Sequence, residues 1–254
     1  MFSSTQQAGW YSTGFFITGV GGGIGEGTAL RLNQEGTILI INDISHEGTE
    51  GVTKKIENLG GSAVPVSADV SDYDQVKGMV DQIYEKFKAI DILVNNARLY
   101  LTTRGERVNG TGISVEEWNR FLSVNLSGAF YRSKYVMPFM RGQRHGNIVN
   151  IPSQAANTGG LINAVHYGAS KAGLIGLIKR VARENASSNF RINCVCPGRI
   201  STPDNLNVLK SFHEKILEQI PLHRVGTVEE IAQGVLFLIS EASGYITGAS
   251  LDIN

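Results

Sequence analysis

Ser153, Tyr167 and Lys171 are the side chains of this 254-residue sequence best suited to moving a proton on and off an oxygen. Tyr167-x-x-x-Lys171 puts phenol and ammonium on one face of a helix. A phenol with an ordinary pKa near ~10 is a poor base at neutral pH. An ammonium about 4 Å away, at an effective dielectric of about 20, contributes roughly 4 kcal/mol. That lowers the phenol by about three pH units, into a working range. A serine hydroxyl beside it could donate to a substrate carbonyl as negative charge develops on oxygen. The spacing alone is not diagnostic, because Tyr73/Lys77 and Tyr84/Lys88 repeat it. Those pairs share one charged helix and are expected on its solvent face. Only Tyr167/Lys171 follows a strand that ends in a serine.

A second set of residues suits a dinucleotide. Thr18-Gly19-Val20-Gly21-Gly22-Gly23-Ile24-Gly25 stands between an apolar run and a helix pattern. Glycines there let the backbone turn tightly and approach a pyrophosphate, whose charge rests on the helix N-terminus. Asp43 ends the next apolar run, 18 residues beyond Gly25. A carboxylate at that place accepts from the adenosine ribose hydroxyls and repels a 2′-phosphate. No Arg or Lys lies in the glycine loop or immediately after Asp43, which favours NAD over NADP. The competing explanation is an acidic helix start, since Ser45 and Glu47 open the next helix.

Delivering these groups to one place requires a particular scaffold. Short apolar or β-branched runs at 15–17, 37–41, 62–67, 90–95, 147–151, 191–195 and 245–253 read as strands. Helix patterns separate them at 23–34, 74–88 and 165–187, with a polar helix ending near Leu59. Ser114-Val-Glu-Glu117 and Thr227-Val-Glu-Glu230 are capping boxes, the first opening a long helix toward Met140. Strict alternation with continuously apolar strands predicts an α/β fold: a doubly wound, parallel, seven-stranded Rossmann-like sheet covered on both faces. No linker or repeat divides residues 1–254, so one domain is expected. In such a sheet ligands sit beyond the carboxyl ends of the strands, where the residues above fall.

Composition narrows the class. Charged residues are 18% of the chain and hydrophobic residues 42%, which excludes a disordered segment. Lys plus Arg and Asp plus Glu are 23 each, so no global field recruits nucleic acid or an anionic membrane. The absence of a signal-like N-terminus and of a long apolar run points to a cytoplasmic protein. Cys194 and Cys196 are too close for an unstrained disulfide and are expected as free thiols on a buried strand in a reducing compartment. No clustered His or Cys set suggests a metal.

In family order, Thr18-Gly-x-x-x-Gly-x-Gly25, Asp69-Val70, Asn95-Asn96-Ala97, Asn125, Ser153, Tyr167-x-x-x-Lys171 and Pro197-Gly198-x-Ile200-x-Thr202 resemble the short-chain dehydrogenase/reductase family, in its short single-domain branch. Pro221-Leu-x-Arg224, Glu229-Glu-Ile-Ala232 and Tyr245-Ile-Thr-Gly248 extend the likeness into the tail. The resemblance implies roles. Tyr167 is the acid for ketone reduction and the base for alcohol oxidation. Lys171 lowers its pKa and bonds the nicotinamide ribose, Ser153 polarises the substrate oxygen, and Asn125 holds a water that links Lys171 to solvent. Gly19, Gly23, Ile24 and Gly25 cradle the diphosphate, and Asp43 takes the adenosine ribose. Asp69 and Val70 meet the adenine, Asn95 and Ala97 line the adenosine ribose, and Pro197, Gly198, Ile200 and Thr202 hold the carboxamide end. Bare structural roles remain open for Asn125 and Thr202.

Four features depart from the family pattern. Arg98 replaces a usual glycine, Pro152 precedes Ser153, the segment 99–113 is long, and the sequence stops at Asn254 where glycines usually follow. The resulting expectation is an NAD(H)-dependent oxidoreductase acting on a secondary alcohol or ketone. Gln154, Asn157, His166 and Arg199 hint at a polar small-molecule substrate, and 203–223 is expected as a lid. The resemblance implies a homotetramer or dimer formed through 114–140 and 165–187. One alternative is a 3-oxoacyl-carrier-protein reductase, with Arg132, Lys134, Arg141 and Arg144 as its basic patch. Another is a non-catalytic nucleotide-binding or redox-sensing module.

Overall fold

The apolar runs form strands whose alternate residues enter two different cores. The computed structural model describes residues 14–100, 110–159, 164–203 and 217–254. Within these, β1 (Gly14–Thr18), β2 (Ile38–Asp43), β3 (Ser62–Ser67), β4 (Ile92–Asn95), β5 (Asn147–Asn150), β6 (Arg191–Pro197) and β7 (Ser250–Ile253) make one sheet. All pairings are parallel, in the order β3-β2-β1-β4-β5-β6-β7. The order reverses between β1 and β4, which opens a crevice at the carboxyl edge.

The helices are α1 (Gly23–Asn33), α2 (His46–Asn58), α3 (Tyr73–Phe87), α4 (Val115–Leu122), α5 (Gly128–Gln143), α6 (Ala155–Thr158), α7 (Val165–Asn185) and α8 (Val228–Ile239). Phe16 and Ile40 pack with Val80 of α3, Val136 of α5 and Ile178 of α7 on one face. Phe15, Ile17, Leu39 and Ile41 pack with Leu32 of α1, Ile56 of α2 and Val235 of α8 on the other. Period-two alternation in β1 and β2 therefore feeds both cores, as expected for strands without a polar face.

Several boundaries differ from the sequence reading. β4 starts at Ile92, and β7 starts at Ser250 because Gly248, at φ +73°, turns the chain just before the last strand. The single helix expected over 114–140 is α4 and α5 joined by a π turn at Ser123–Ser127. Thr227 and Glu230 form the full capping box of α8, each side chain accepting from the other's N–H. Ser114 caps α4 through the Glu117 N–H, but the Glu117 carboxylate lies 3.5 Å from His166 Nε2. Cys194 and Cys196 are free and buried, and burial pushes both thiols up to about 12. Among the described residues no helix is long and apolar enough to cross a membrane.

Candidate active site

The glycine loop follows β1 and is clamped from two sides. Gly19 has φ +70°, and a Cβ there would lie 2.6 Å from Ala97 Cα. A Cβ on Gly25 would lie 2.0 Å from the Gly19 oxygen, so neither position accepts a side chain. Asn96 Nδ2 donates to the Thr18 and Gly19 carbonyls at 3.0 and 2.9 Å. Thr18 Oγ1 accepts from the Asn96 and Ala97 N–H groups at 3.3 and 3.2 Å. On the other side Asp43 Oδ2 accepts from Gly21 N–H at 2.9 Å, and its Oδ1 from Ser45 N–H at 3.0 Å. At the N-terminus of α1, Gly22 makes no side-chain cap, and a Cβ on it would meet nothing within 4 Å. Open space over uncapped N–H groups fits a diphosphate.

The end of β3 is held by Asn42, whose Nδ2 donates to the Val66 and Ala68 carbonyls at 3.0 and 3.1 Å. Beyond it Asp69 Oδ1 accepts from the N–H and hydroxyl of Ser71 at 2.8 and 2.7 Å, beside the buried Val70. Asn95 differs from expectation. Its side chain turns into the core, donating to Ser133 Oγ and Asn150 Oδ1 and accepting from Arg132 Nε at 2.7 Å. Its amide therefore holds a buried cation, and only its main chain is left to border the cleft. Arg132 is fully buried, and burial pulls its guanidinium down to about 9. It cannot belong to a surface patch with Lys134, Arg141 and Arg144.

Beyond β5 and β6 lies a cavity of about 320 Å³, lined among others by Ile24, Ser153, Tyr167, Ile200 and Thr202. Pro152 lines it too, and the Gln154 N–H to Pro197 carbonyl bond of 2.9 Å locks the two strand ends together. Pro197–Thr202 is fixed by Gly198 N–H donating to Ile253 O and by a parallel bridge from Ile200 to Gly226. Lys171 is 1% exposed; its Nζ donates to the Ile151 carbonyl at 2.9 Å and lies 5.7 Å from the Tyr167 ring centroid. Burial, and then the charges of Arg98 and Arg132, pull Lys171 down to about 7.

Tyr167 does not show the expected lysine-driven lowering. Burial raises its pKa, opposed by Arg98, the hydrogen bond with Ser153, and Arg199. A phenol taken out of water loses more as an anion than these partners restore. Asn125 sits in the π turn with Oδ1 accepting from Leu99 N–H at 2.7 Å. Its Nδ2 donates to Leu99 O and Ser170 Oγ, both at 3.1 Å. It clamps the chain after β4 against α7, and no direct hydrogen bond joins it to Lys171.

Of the four polar residues expected to face substrate, Gln154 and Arg199 line the cavity. Asn157 is exposed outside it, and His166 is fully buried, stacked 3.7 Å from Phe121 with Nδ1 accepting from Tyr167 N–H at 2.9 Å. Gln219, Ile220 and Pro221 reach the cavity from the expected lid, of which 204–216 lie outside the described residues, as do 101–109 and 160–163. Sequence reasoning missed Asn96 as the clamp on the glycine loop and Asn42 as the clamp on the end of β3. It also missed Tyr100, whose ring stands edge-on to Tyr167 with centroids 5.6 Å apart. The asparagines carried one signal: each adjoins a strand end that the glycine loop must touch.

The chain matches the family model described as Enoyl-(Acyl carrier protein) reductase over residues 19–254. It is 40% identical over 238 residues to the 3-oxoacyl-[acyl-carrier-protein] reductase FabG of Thermotoga maritima, covering 94% of each chain. Among solved structures, a 3-oxoacyl-[acyl-carrier protein] reductase from Brucella melitensis superposes with a TM-score of 0.90 at 32% identity, over 96% of this chain and 90% of that one. A xylitol dehydrogenase with bound NAD+ gives 0.89 at 30% identity, over 96% and 98%. Likeness of that extent, in a chain whose cleft assembles Ser153 and Tyr167 beyond a clamped glycine loop, identifies a member of the short-chain dehydrogenase/reductase family and an oxidoreductase acting on CH–OH and C=O groups.

Proposed function

We propose that this chain transfers hydride between NAD(H) and a small polar secondary alcohol or ketone. One observation carries the reading. Ile24, in the first turn of α1, lines the same cavity as Ser153 and Tyr167, so a dinucleotide resting on α1 would reach the proton-transfer groups. When bound, the nicotinamide supplies or accepts the hydride. Gly19, Gly23 and Gly25 give the diphosphate room, Asp69 and Val70 border the adenine, and Ala97 with the Asn95 main chain borders its ribose. Pro197, Gly198, Ile200 and Thr202 hold the carboxamide end. Ser153 donates to the substrate oxygen, and Tyr167 gives the proton in reduction and takes it in oxidation. Lys171 supplies positive charge beneath Tyr167 and a donor toward the nicotinamide ribose.

Asp43 supports NAD over NADP: its carboxylate stands at the end of β2, tied to Gly21, where a 2′-phosphate would meet negative charge. Steady-state kinetics with both cofactors tests this. NADH should win in kcat/KM by at least tenfold in the wild type, and Asp43→Ser should shrink that preference by about tenfold. A wild-type preference for NADPH would overturn the assignment.

The likeness to the Thermotoga maritima enzyme favours one second reading, reduction of a 3-oxoacyl group on a carrier protein. Turnover of a 3-oxoacyl thioester far above that of small ketones would select it. The buried free thiols support a reducing, cytoplasmic setting. The α4–α5 surface, where Phe130 is 41% exposed, supports a homo-oligomer.

A further inference from the structure

Among the described residues Arg199 has no counter-ion. It follows β6 in the cleft, and its main chain is fixed on both sides: Gly226 N–H donates to its carbonyl at 2.8 Å, and Ser201 N–H to Gly226 O at 2.9 Å. Its guanidinium is held by a neutral group, Nη1 donating to Tyr100 Oη at 3.2 Å. Among the described residues no carboxylate lies within ion-pair distance of it.

Tyr100 is a common pivot: it meets Tyr167 edge-on, and Arg98 lies 5.0 Å above its ring. Arg98 and Arg199 therefore stand on the same wall as Tyr167, and no Asp or Glu side chain is among the described residues lining the cavity. A half-buried cation costs free energy unless an anion meets it. A planar guanidinium fixed at its base pairs best with a carboxylate, through two parallel bonds. At about 320 Å³ the cavity must also admit the nicotinamide ring, so the anion belongs to a short molecule.

We propose that Arg199, positioned by Tyr100, binds a carboxylate on the substrate, and that the substrates are short oxo acids and their hydroxy-acid counterparts. This rests on the oxidoreductase reading above and deepens it. In reduction the carbonyl carbon gains hydride from the cofactor, its oxygen gains the Tyr167 proton, and the carboxylate stays ionised against Arg199. Arg199 is a specificity residue; the bonds made and broken are those of the ordinary ketone reduction.

The test uses acetoacetate and pyruvate, each against its methyl ester, with saturating NADH. Turnover is followed by NADH absorbance and binding by calorimetry in the presence of NADH. At least one acid should exceed its ester in kcat/KM by tenfold or more, chiefly through KM. Arg199→Gln should cut that acid-to-ester ratio by at least tenfold, as loss of one charge-assisted pair implies. Arg199→Lys, which keeps the charge, should restore part of it. The proposal is overturned by esters reduced as well as acids, or by an acid-to-ester ratio unmoved in Arg199→Gln. It is also overturned if that variant weakens NADH binding alone, which makes Arg199 a cofactor contact. Arg199-dependent binding of the acids without turnover would uphold the carboxylate site and sink the oxidoreductase reading at this site. Neither binding nor turnover of any acid, alongside reduction of neutral ketones, would sink the carboxylate site alone.

Discussion

Helices α3 and α7 carry the same Tyr-x-x-x-Lys spacing and put it to opposite ends. On α3, Tyr73 is 38% exposed and accepts a hydrogen bond from Lys134 Nζ at 2.8 Å, which lowers its pKa. Its own partner by spacing, Lys77, bonds Asp81 instead. Tyr84 of the second α3 pair stacks on Phe139, at 3.8 Å, and so covers α5 rather than facing water. On α7, Tyr167 and Lys171 are 5% and 1% exposed, at the carboxyl edge of the sheet and over a cavity. The phenol lowered by a lysine is thus the surface one. The buried phenol, in the site, is raised. A perturbed pKa and a suggestive spacing do not make a site; a cleft that delivers a substrate atom to the group does.

The largest effect should come from removing each hydroxyl in turn. Tyr167→Phe takes away the proposed proton donor without changing shape, and should lower kcat by about 10²- to 10⁴-fold. NADH binding, read by fluorescence, should persist. Tyr73→Phe and Tyr84→Phe should leave kcat within about twofold, since neither faces the cavity. Retained turnover in Tyr167→Phe would erase the contrast between the helices.

The lysines sharpen the contrast through pH. Lys171 is pulled down to about 7, so its ammonium form prevails below that value and is lost above it. The raised pKa of Tyr167 keeps the phenol protonated across the same range. Reduction, which needs the phenol protonated, should slow as pH climbs through about 7 because Lys171 loses its charge. Oxidation, which needs the phenol to accept a proton, should quicken as pH rises toward its raised value. Lys171→Met should lower kcat by at least tenfold and flatten the inflection in the reduction profile. Lys77, raised by Asp81, is charged throughout, and Lys77→Met should leave both profiles where they were.

The strand ends and the residues that follow them were legible because each apolar run stops at a polar or glycine residue in a fixed order. Gly19 to Gly25, Asp43, Ser153 and Tyr167 are all strand-end or helix-start residues, and they meet at one edge of the sheet. What the sequence concealed depends on which way a buried polar side chain turns. Asn95 and Asn96 are neighbours of one type, yet one turns into the core to hold Arg132 and the other clamps the glycine loop. Only the facing elements decide that. The π turn at Ser123–Ser127 was equally hidden, since one extra residue per turn shifts an apolar stripe without interrupting it. Arg132 read as surface charge for the same reason: nothing in the local pattern of α5 marks a guanidinium that donates to an asparagine of β4.

A smaller contrast lies in how the two helices begin. Asp72 caps α3, accepting from Asp74 and Gln75 N–H at 2.9 and 3.0 Å. α7 has Ala164 at that position and no side-chain cap. The Tyr167 N–H is shared between the Ala164 carbonyl at 3.1 Å and the imidazole of His166 at 2.9 Å, and the Nε2 of that ring faces the Glu117 carboxylate. With Nδ1 accepting, the ring must carry its proton on Nε2, toward Glu117. The end of α7 that carries Tyr167 is therefore tied to α4 through one buried ring. His166→Leu removes one of the two acceptors of that N–H, the stack on Phe121 and the ring that faces the Glu117 carboxylate, at a cost of about 2 kcal/mol, or roughly 4–8 °C in Tm. Because Tyr167 moves with that end, kcat should also fall severalfold, and His166→Asn, which keeps an acceptor near Nδ1, should recover part of it. Asp72→Ala should lower Tm by only about 2–4 °C and leave kcat unchanged. The Asp72 carboxyl is itself held below its usual range by the Gln75 N–H. Its cap is therefore complete at neutral pH and is lost only as pH falls through that lowered value. Equal kcat losses in the two variants would mean that α7 needs nothing from His166 beyond an ordinary helix start.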